Sequence, residues 1–165
     1  MTTDPKPRNL MKEGRENGFD DAWYDEWWGA MKDQGGNIIR SMRMRMVEVT
    51  DDHVVMSMTM GPRVRQGTGI FAAGALIQLA DVGATSACFQ AMAPHYPEGE
   101  IPFPVSIQIS SNLIRNTDRG TVFSDTRLVH SGRNIMVAES TVRDEAGRTL
   151  AIVTSTHIPV PAPRP

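Results

Sequence analysis

Residues 70–92, IFAAGALIQLADVGATSACFQAM, form the longest apolar run of the chain, and a single carboxylate, Asp81, lies inside it. The run is too long for a strand and rich in Ala and Leu. It predicts a helix that is apolar nearly all round and therefore buried on most sides. Asp81 is the only formal charge between Arg65 and Glu98. A carboxylate among Leu79, Ala80 and Val82 costs several kcal/mol unless it is paired, hydrogen-bonded or protonated. No Lys, Arg or His stands within one helical turn of it. The position therefore points to a cleft or a subunit interface, the alternative being an Asp capped by a local polar group. Asp81, Gln78 and the glycines of the run also argue against a membrane span.

The rest of the chain supplies what such a helix needs around it. Residues 1–19 are polar and proline-containing and read as a flexible arm. FDDAWYDEWWGAMKDQGG reads as a helix over 20–34, with Asp20 or Asp21 at its N-cap and Gly35–Gly36 ending it. Trp23, Trp27 and Met31 make an apolar stripe there, suited to packing on the domain or a partner subunit, or else to forming an aromatic lid. Residues 38–49 alternate Met42, Met44 and Met46 with Arg43 and Arg45, and Val54, Met56, Met58 and Met60 alternate again after TDDH. That is the periodicity of a hairpin. Beyond the long helix come four strand-like runs, 104–115, 120–131, 133–144 and 148–158, joined by RNTDRG, HSGR and RDEAGR. Helix, two strands, buried helix, four strands predicts an α+β domain in which a curved antiparallel sheet wraps one long central helix. The single domain spans 20–160, with its core at 38–158 and a tail at 161–165.

Several function classes drop out on composition. A length of 165 residues suits one domain, and 40% apolar residues suffice for a core. A net charge of −2 with pI ≈ 6.1 gives no footing for nucleic acid. The lone Cys88 excludes an internal disulfide and suits a reducing compartment. The N-terminus lacks the apolar core of a signal peptide, so a cytoplasmic, non-membrane protein is expected. His53, His95, His130 and His157 are scattered without metal-ligand spacing, so no metal is expected. No nucleophile elbow, phosphate loop or dinucleotide fingerprint is present, and no cofactor is expected.

One further segment bears on chemistry. GTGIFAAG leads from a loop into the long helix, whose start offers unpaired backbone N–H groups and a positive dipole end. The small residues Ala72, Ala73, Gly74 and Ala75 would let a ligand carbonyl approach those amides, as an oxyanion site requires; close packing is the other use of such residues.

The stretch GTGIFAAGALIQLADVGATSA resembles the central helix of the phenylacetate-degradation-type thioesterases of the hotdog superfamily. Their pattern is an Asn, then G-x-x-H-G-G, then L-x-D seven residues after the last glycine. Gly69 and Gly74 fall on glycines of that pattern, and Asp81 falls seven after Gly74. The ligand-side strand, the three downstream turns and the closing strand follow in the family's order, so the similarity spans roughly residues 38–158. The resemblance implies an acyl- or aryl-CoA thioesterase of hotdog fold, a homodimer or homotetramer with each site shared between subunits. It places Asp81 as nucleophile or general base. Ala73 N–H, with Gly74 beside it, takes the oxyanion position. Gln66 stands in place of the family Asn, and Ser106 is the hydroxyl that places water. Arg115, Arg119 and Arg133 fall near turns where relatives meet the CoA phosphates, although a solvated face explains them as well. The chain departs from the pattern at Ala72 (family His), Ala73 (family Gly), Gln66 (family Asn) and Asn116 (family turn Pro). Loss of the histidine keeps two alternatives open: a lyase or dehydratase acting on a small (aromatic) acid without CoA, and a non-catalytic acyl-CoA-binding module.

Overall fold

The computed structural model describes residues 10–30, 38–97 and 100–161. They belong to two compact units divided after residue 37.

In the first unit, α1 (Leu10–Asn17) is followed by α2 (Asp21–Ala30). Residues 10–17, read from sequence as part of a flexible arm, are helical. LMKEGREN lacks proline and carries an i,i+4 pair, Lys12 to Glu16 at 3.9 Å. Trp23 Nε1 donates to the Leu10 carbonyl at 2.7 Å, tying α1 to α2. Gly14 is buried where a Cβ would collide with Phe19 and Trp23. Asp20 caps α2 as expected, its Oδ1 accepting the Trp23 N–H at 2.8 Å. Met31 and the end of the predicted 20–34 helix lie outside the described residues, as does the tail beyond residue 161.

The second unit holds α3 (Ile38–Ser41), β1 (Arg45–Val49), β2 (His53–Thr59), α4 (Ala73–Met92), a 3-10 turn (Ala93–His95), β3 (Phe103–Leu113), β4 (Thr121–Ser131), β5 (Met136–Asp144) and β6 (Thr149–Val160). The six strands form one antiparallel sheet in the order β1-β2-β4-β5-β6-β3. The hairpin predicted from residue 38 begins only at Arg45. Ladder pairing stops at Arg45 opposite Ser57, and past Thr59 the partner strand runs into Gly61 and Pro62, which cannot extend it. Ile38–Ser41 instead closes its own hydrogen bonds in a helical turn, which Arg43 leaves at φ 53. Met44 and Met46 still enter the core.

Alternate residues of the central strands face one side: Val122, Ser124 and Thr126 on β4, Ala138, Ser140 and Val142 on β5, and Val153, Ser155 and His157 on β6, all buried. That side receives α4, which packs across β2 to β6. Small side chains permit a close approach, as at Gly83, where a Cβ would stand 2.8 Å from Thr126 Oγ1. The α+β arrangement of one long helix on a six-stranded sheet matches the expectation from sequence. Among the described residues no helix is long and apolar enough to cross a membrane.

Candidate active site

α4 begins at Ala73 rather than at residue 70, because the segment before it is held as a loop. Phe71 bridges to Arg65, the Ala72 N–H donates to the Val64 carbonyl at 2.7 Å, and the Phe71 N–H donates to the Thr117 carbonyl at 3.1 Å. Asn116 closes this clamp. Its Nδ2 donates to the Phe71 carbonyl at 2.8 Å while its Oδ1 accepts the Thr117 N–H at 2.8 Å. Ala72 occupies the N-cap with extended backbone (φ −63, ψ 134) and offers no side-chain cap. The first intrahelical donor is Ala75, bonded to the Ala72 carbonyl at 2.9 Å. Among the described residues the Ala73 and Gly74 N–H groups have no acceptor, and a Cβ at Gly74 would meet nothing within 4 Å. Two backbone donors at the positive end of a 20-residue helix thus open outward together.

Asp81 is half-buried in the middle of α4. The Ser106 hydroxyl, reaching from β3, donates to its Oδ1 at 2.6 Å, the length of a charge-assisted bond. A polar chain continues beneath: Ser106 Oγ lies 3.4 Å from His157 Nδ1, and His157 Nε2 lies 2.9 Å from Ser155 Oγ. His157 is fully buried on β6, opposite Ser106 in the β3–β6 register. Burial pushes its imidazole below the ordinary value, against a smaller upward pull from the negative charge of Asp81. Sequence reading set His157 aside as one of four scattered histidines. Its link to Asp81 runs through two strands far apart in the chain. The available signal was that Ser155 and His157, two residues apart, share a strand face.

The remaining expected residues do not join this cluster within one chain. Gln66 is exposed in the loop before α4, its backbone closing a turn with Ile70 and Gly69 at 2.9 Å each. Arg119 lines an open cleft of about 500 Å³ beside the start of α4, together with Thr68, Ile70, Arg148 and the Asn116–Asp118 turn. Both cleft arginines have carboxylate partners, Arg119 with Asp118 at 2.8 Å and Arg148 with Asp144 at 2.7 Å. The Arg119 guanidinium draws the exposed Asp118 carboxyl below its usual range, and Arg148 does the same for Asp144. Arg115 follows β3 at that same end of the sheet, whereas Arg133 lies in the β4–β5 turn at the other. The ten residue steps of β4 between those ends span roughly 33 Å, so the three arginines form no single patch. Cys88 is fully buried with Met92 and Met136, and burial pushes its thiol up to about 12. Among the described residues no group of three or more His, Cys, Asp or Glu side chains is placed to hold a metal ion.

Neither a protein-family model nor a curated protein matches the chain. Solved structures do. The thioesterase HI1161 of Haemophilus influenzae superposes with a TM-score of 0.71 at 18% identity, over 83% of this chain and 90% of its own. The thioesterase PA1618 of Pseudomonas aeruginosa, solved as a mutant, gives 0.71 at 22% identity, over 83% and 94%. The conserved protein PA5202 of the same organism gives 0.68 at 24% identity, over 76% and 94%. The chain therefore has the hotdog fold, and thioesterases stand among its structural neighbours.

Proposed function

We propose that the protein hydrolyses an acyl- or aryl-CoA thioester to the free acid and CoA, in sites shared between two copies of the chain. The observation that carries this reading is the Asp81–Ser106 contact at 2.6 Å, a carboxylate held by one oxygen in an otherwise uncharged helix. Thioesterases of the same fold support the reaction class.

The geometry of α4 supports the sharing. Ala73 and Asp81 are eight residues apart on one helix, about 12 Å along its axis. A single carbonyl cannot rest on the Ala73 amide and be reached by the Asp81 carboxylate of the same chain, since both contacts require about 3 Å. Two copies with opposed helices bring one start to the other's carboxylate. The covering surface is β3, an eleven-residue sheet edge carrying exposed Phe103 (54%) and Ile107 (55%), as well as Val105 and Ile109. A long apolar edge left open is a template for another strand.

In this reading water attacks the thioester carbonyl carbon as Asp81 takes its proton, Ser106 fixing the carboxylate. The oxyanion rests on the Ala73 and Gly74 amides of the second copy. Collapse expels the CoA thiolate, which recovers the proton. Gln66 orients the thioester, and Arg119 and Arg115 attend the CoA phosphates; Arg133, at the other end of the sheet, could serve only a differently placed ligand. Direct attack of the Asp81 carboxylate on the carbonyl, with loss of the CoA thiolate and hydrolysis of the resulting anhydride by water, would give the same products.

Because Ala72 gives the helix start no side-chain donor, lyase or dehydratase chemistry on a free acid is the second reading, and binding without turnover the third. Release of free thiol from a panel of acyl- and aryl-CoAs separates the three. Asp81→Asn is expected to reduce that release at least ~100-fold. Wild-type turnover in the variant would remove Asp81 from the reaction.

A further inference from the structure

His157 is a buried titratable group that hydrolysis, as set out above, leaves without a task. Its surroundings restrict where protons can sit. A carboxylate only accepts, so the single hydroxyl hydrogen of Ser106 goes to Asp81 Oδ1 at 2.6 Å. Ser106 Oγ then has only lone pairs to offer His157, and the 3.4 Å contact must run from an Nδ1–H of the imidazole. In the neutral ring the other nitrogen accepts, so Ser155 donates to Nε2 at 2.9 Å. Burial favours that neutral ring. The groups facing it are Asp81 from α4, Ser106 from β3, Met136 from β5 and Ser155 on its own strand, with the uncharged Cys88 behind Met136. Asp81 is the charged member of that set.

We propose that His157 is a positioning residue: held as its Nδ1–H tautomer by Ser155, it locks the Ser106 hydroxyl onto one oxygen of Asp81 and leaves the other oxygen to the reacting water. Donation runs from Ser155 to His157, from His157 to Ser106 and from Ser106 to Asp81, which only accepts. Its kinetic consequence rests on the hydrolase reading; the tautomer and the donor order do not.

The test has two arms on the full-length protein. The first is long-range proton–nitrogen NMR of the imidazole. Wild type is expected to show the Nδ1–H tautomer, Ser106→Ala to change the tautomer balance, and Asp81→Asn to lower the His157 titration midpoint by removing the facing negative charge. The Nε2–H tautomer in wild type, or a ring indifferent to both substitutions, overturns the proposal whether or not any ester is turned over. The second arm uses the CoA ester best hydrolysed in the panel. His157→Ala is expected to lower kcat about tenfold at nearly unchanged KM, short of the ~100-fold cost of displacing a reacting group. It also moves the acid limb of the kcat/KM profile to higher pH. His157→Asn retains a donor at the place of Nδ1 and is expected to restore most of kcat and the wild-type profile. Equal losses in both variants with an unmoved profile would mean a purely structural histidine and defeat the proposal. Absence of turnover in wild type defeats the hydrolase reading alone and leaves the first arm to decide.

Discussion

At Gly83 two opposing costs meet. A glycine in a helix interior gives up about 1 kcal/mol relative to alanine. An added Cβ, however, would stand 2.8 Å from Thr126 Oγ1, and that hydroxyl cannot swing away. It is buried and bonded to Ser140 Oγ at 2.8 Å and Ser124 Oγ at 3.3 Å, with Ser140 in turn donating to the Ala80 carbonyl at 3.4 Å. Overpacking of this kind costs about 1–3 kcal/mol, so Gly83→Ala is expected to lose roughly 1 kcal/mol net. Urea unfolding reads it, and Gly83→Ala with Thr126→Ala should lose less than the sum of the two; a more stable Gly83→Ala would show that the helix has room to lift. The same scale shows what could be read without the structure. Asp81 stood out because its run contains no other charge, and Ser106 was reached only through resemblance. His157 lay in TSTH, where alternation places Ser155 and His157 together but leaves open which face is the inner one. Only the register Ser106↔His157 connects them to Asp81, and register is a long-range property.

Among the elements, α4 depends on how its first turn is held. The clamp of Asn116 and Thr117 on Phe71, with the Ala72–Val64 bond, fixes the direction in which the Ala73 and Gly74 amides point. Asn116→Ala deletes two partly buried hydrogen bonds, one to the Phe71 carbonyl and one from the Thr117 N–H, a loss of about 1–3 kcal/mol. Amide exchange at Phe71, Ala72 and Ala75 is expected to quicken and kcat to fall several-fold, while the Asp81–Ser106 end stays as it was. Unchanged exchange there would mean that the backbone contacts of Thr117 suffice. Element boundaries followed local chemistry where a cap or turn residue was decisive: Asp20 starts α2, and HSGR and RDEAGR separate β4, β5 and β6 close to where sequence placed them. They were misjudged where tertiary partners decide. Ile38–Ser41 has strand-like residues but no strand to pair with, and Ile70–Phe71 is apolar enough for a helix but pinned by Val64, Arg65 and Thr117. α1 hid inside a polar segment whose helical support comes from Trp23.

For the molecule as a whole, the sequence pattern specified six strands and one buried helix but not their order. β3 follows α4 in the chain yet lands beside β6 at the sheet edge, a placement set by the crossing helix rather than by a local turn. It brings the apolar face of β3 into the open and Ser106 under Asp81 in one step. The distance between the start of α4 and Asp81 has a genetic corollary. If each site takes its amides from one copy and its carboxylate from the other, the two lesions are separable and mutually complementing. Gly74→Leu would crowd the amide end, its side chain entering space that a single chain leaves empty, and Asp81→Asn would silence the opposite end. Either pure protein should be inert. After subunit exchange half of the dimers pair one of each, and every mixed dimer keeps one of its two sites whole, so about a quarter of wild-type activity should return. Two dead proteins that stay dead after verified exchange would place both halves of the site in a single chain.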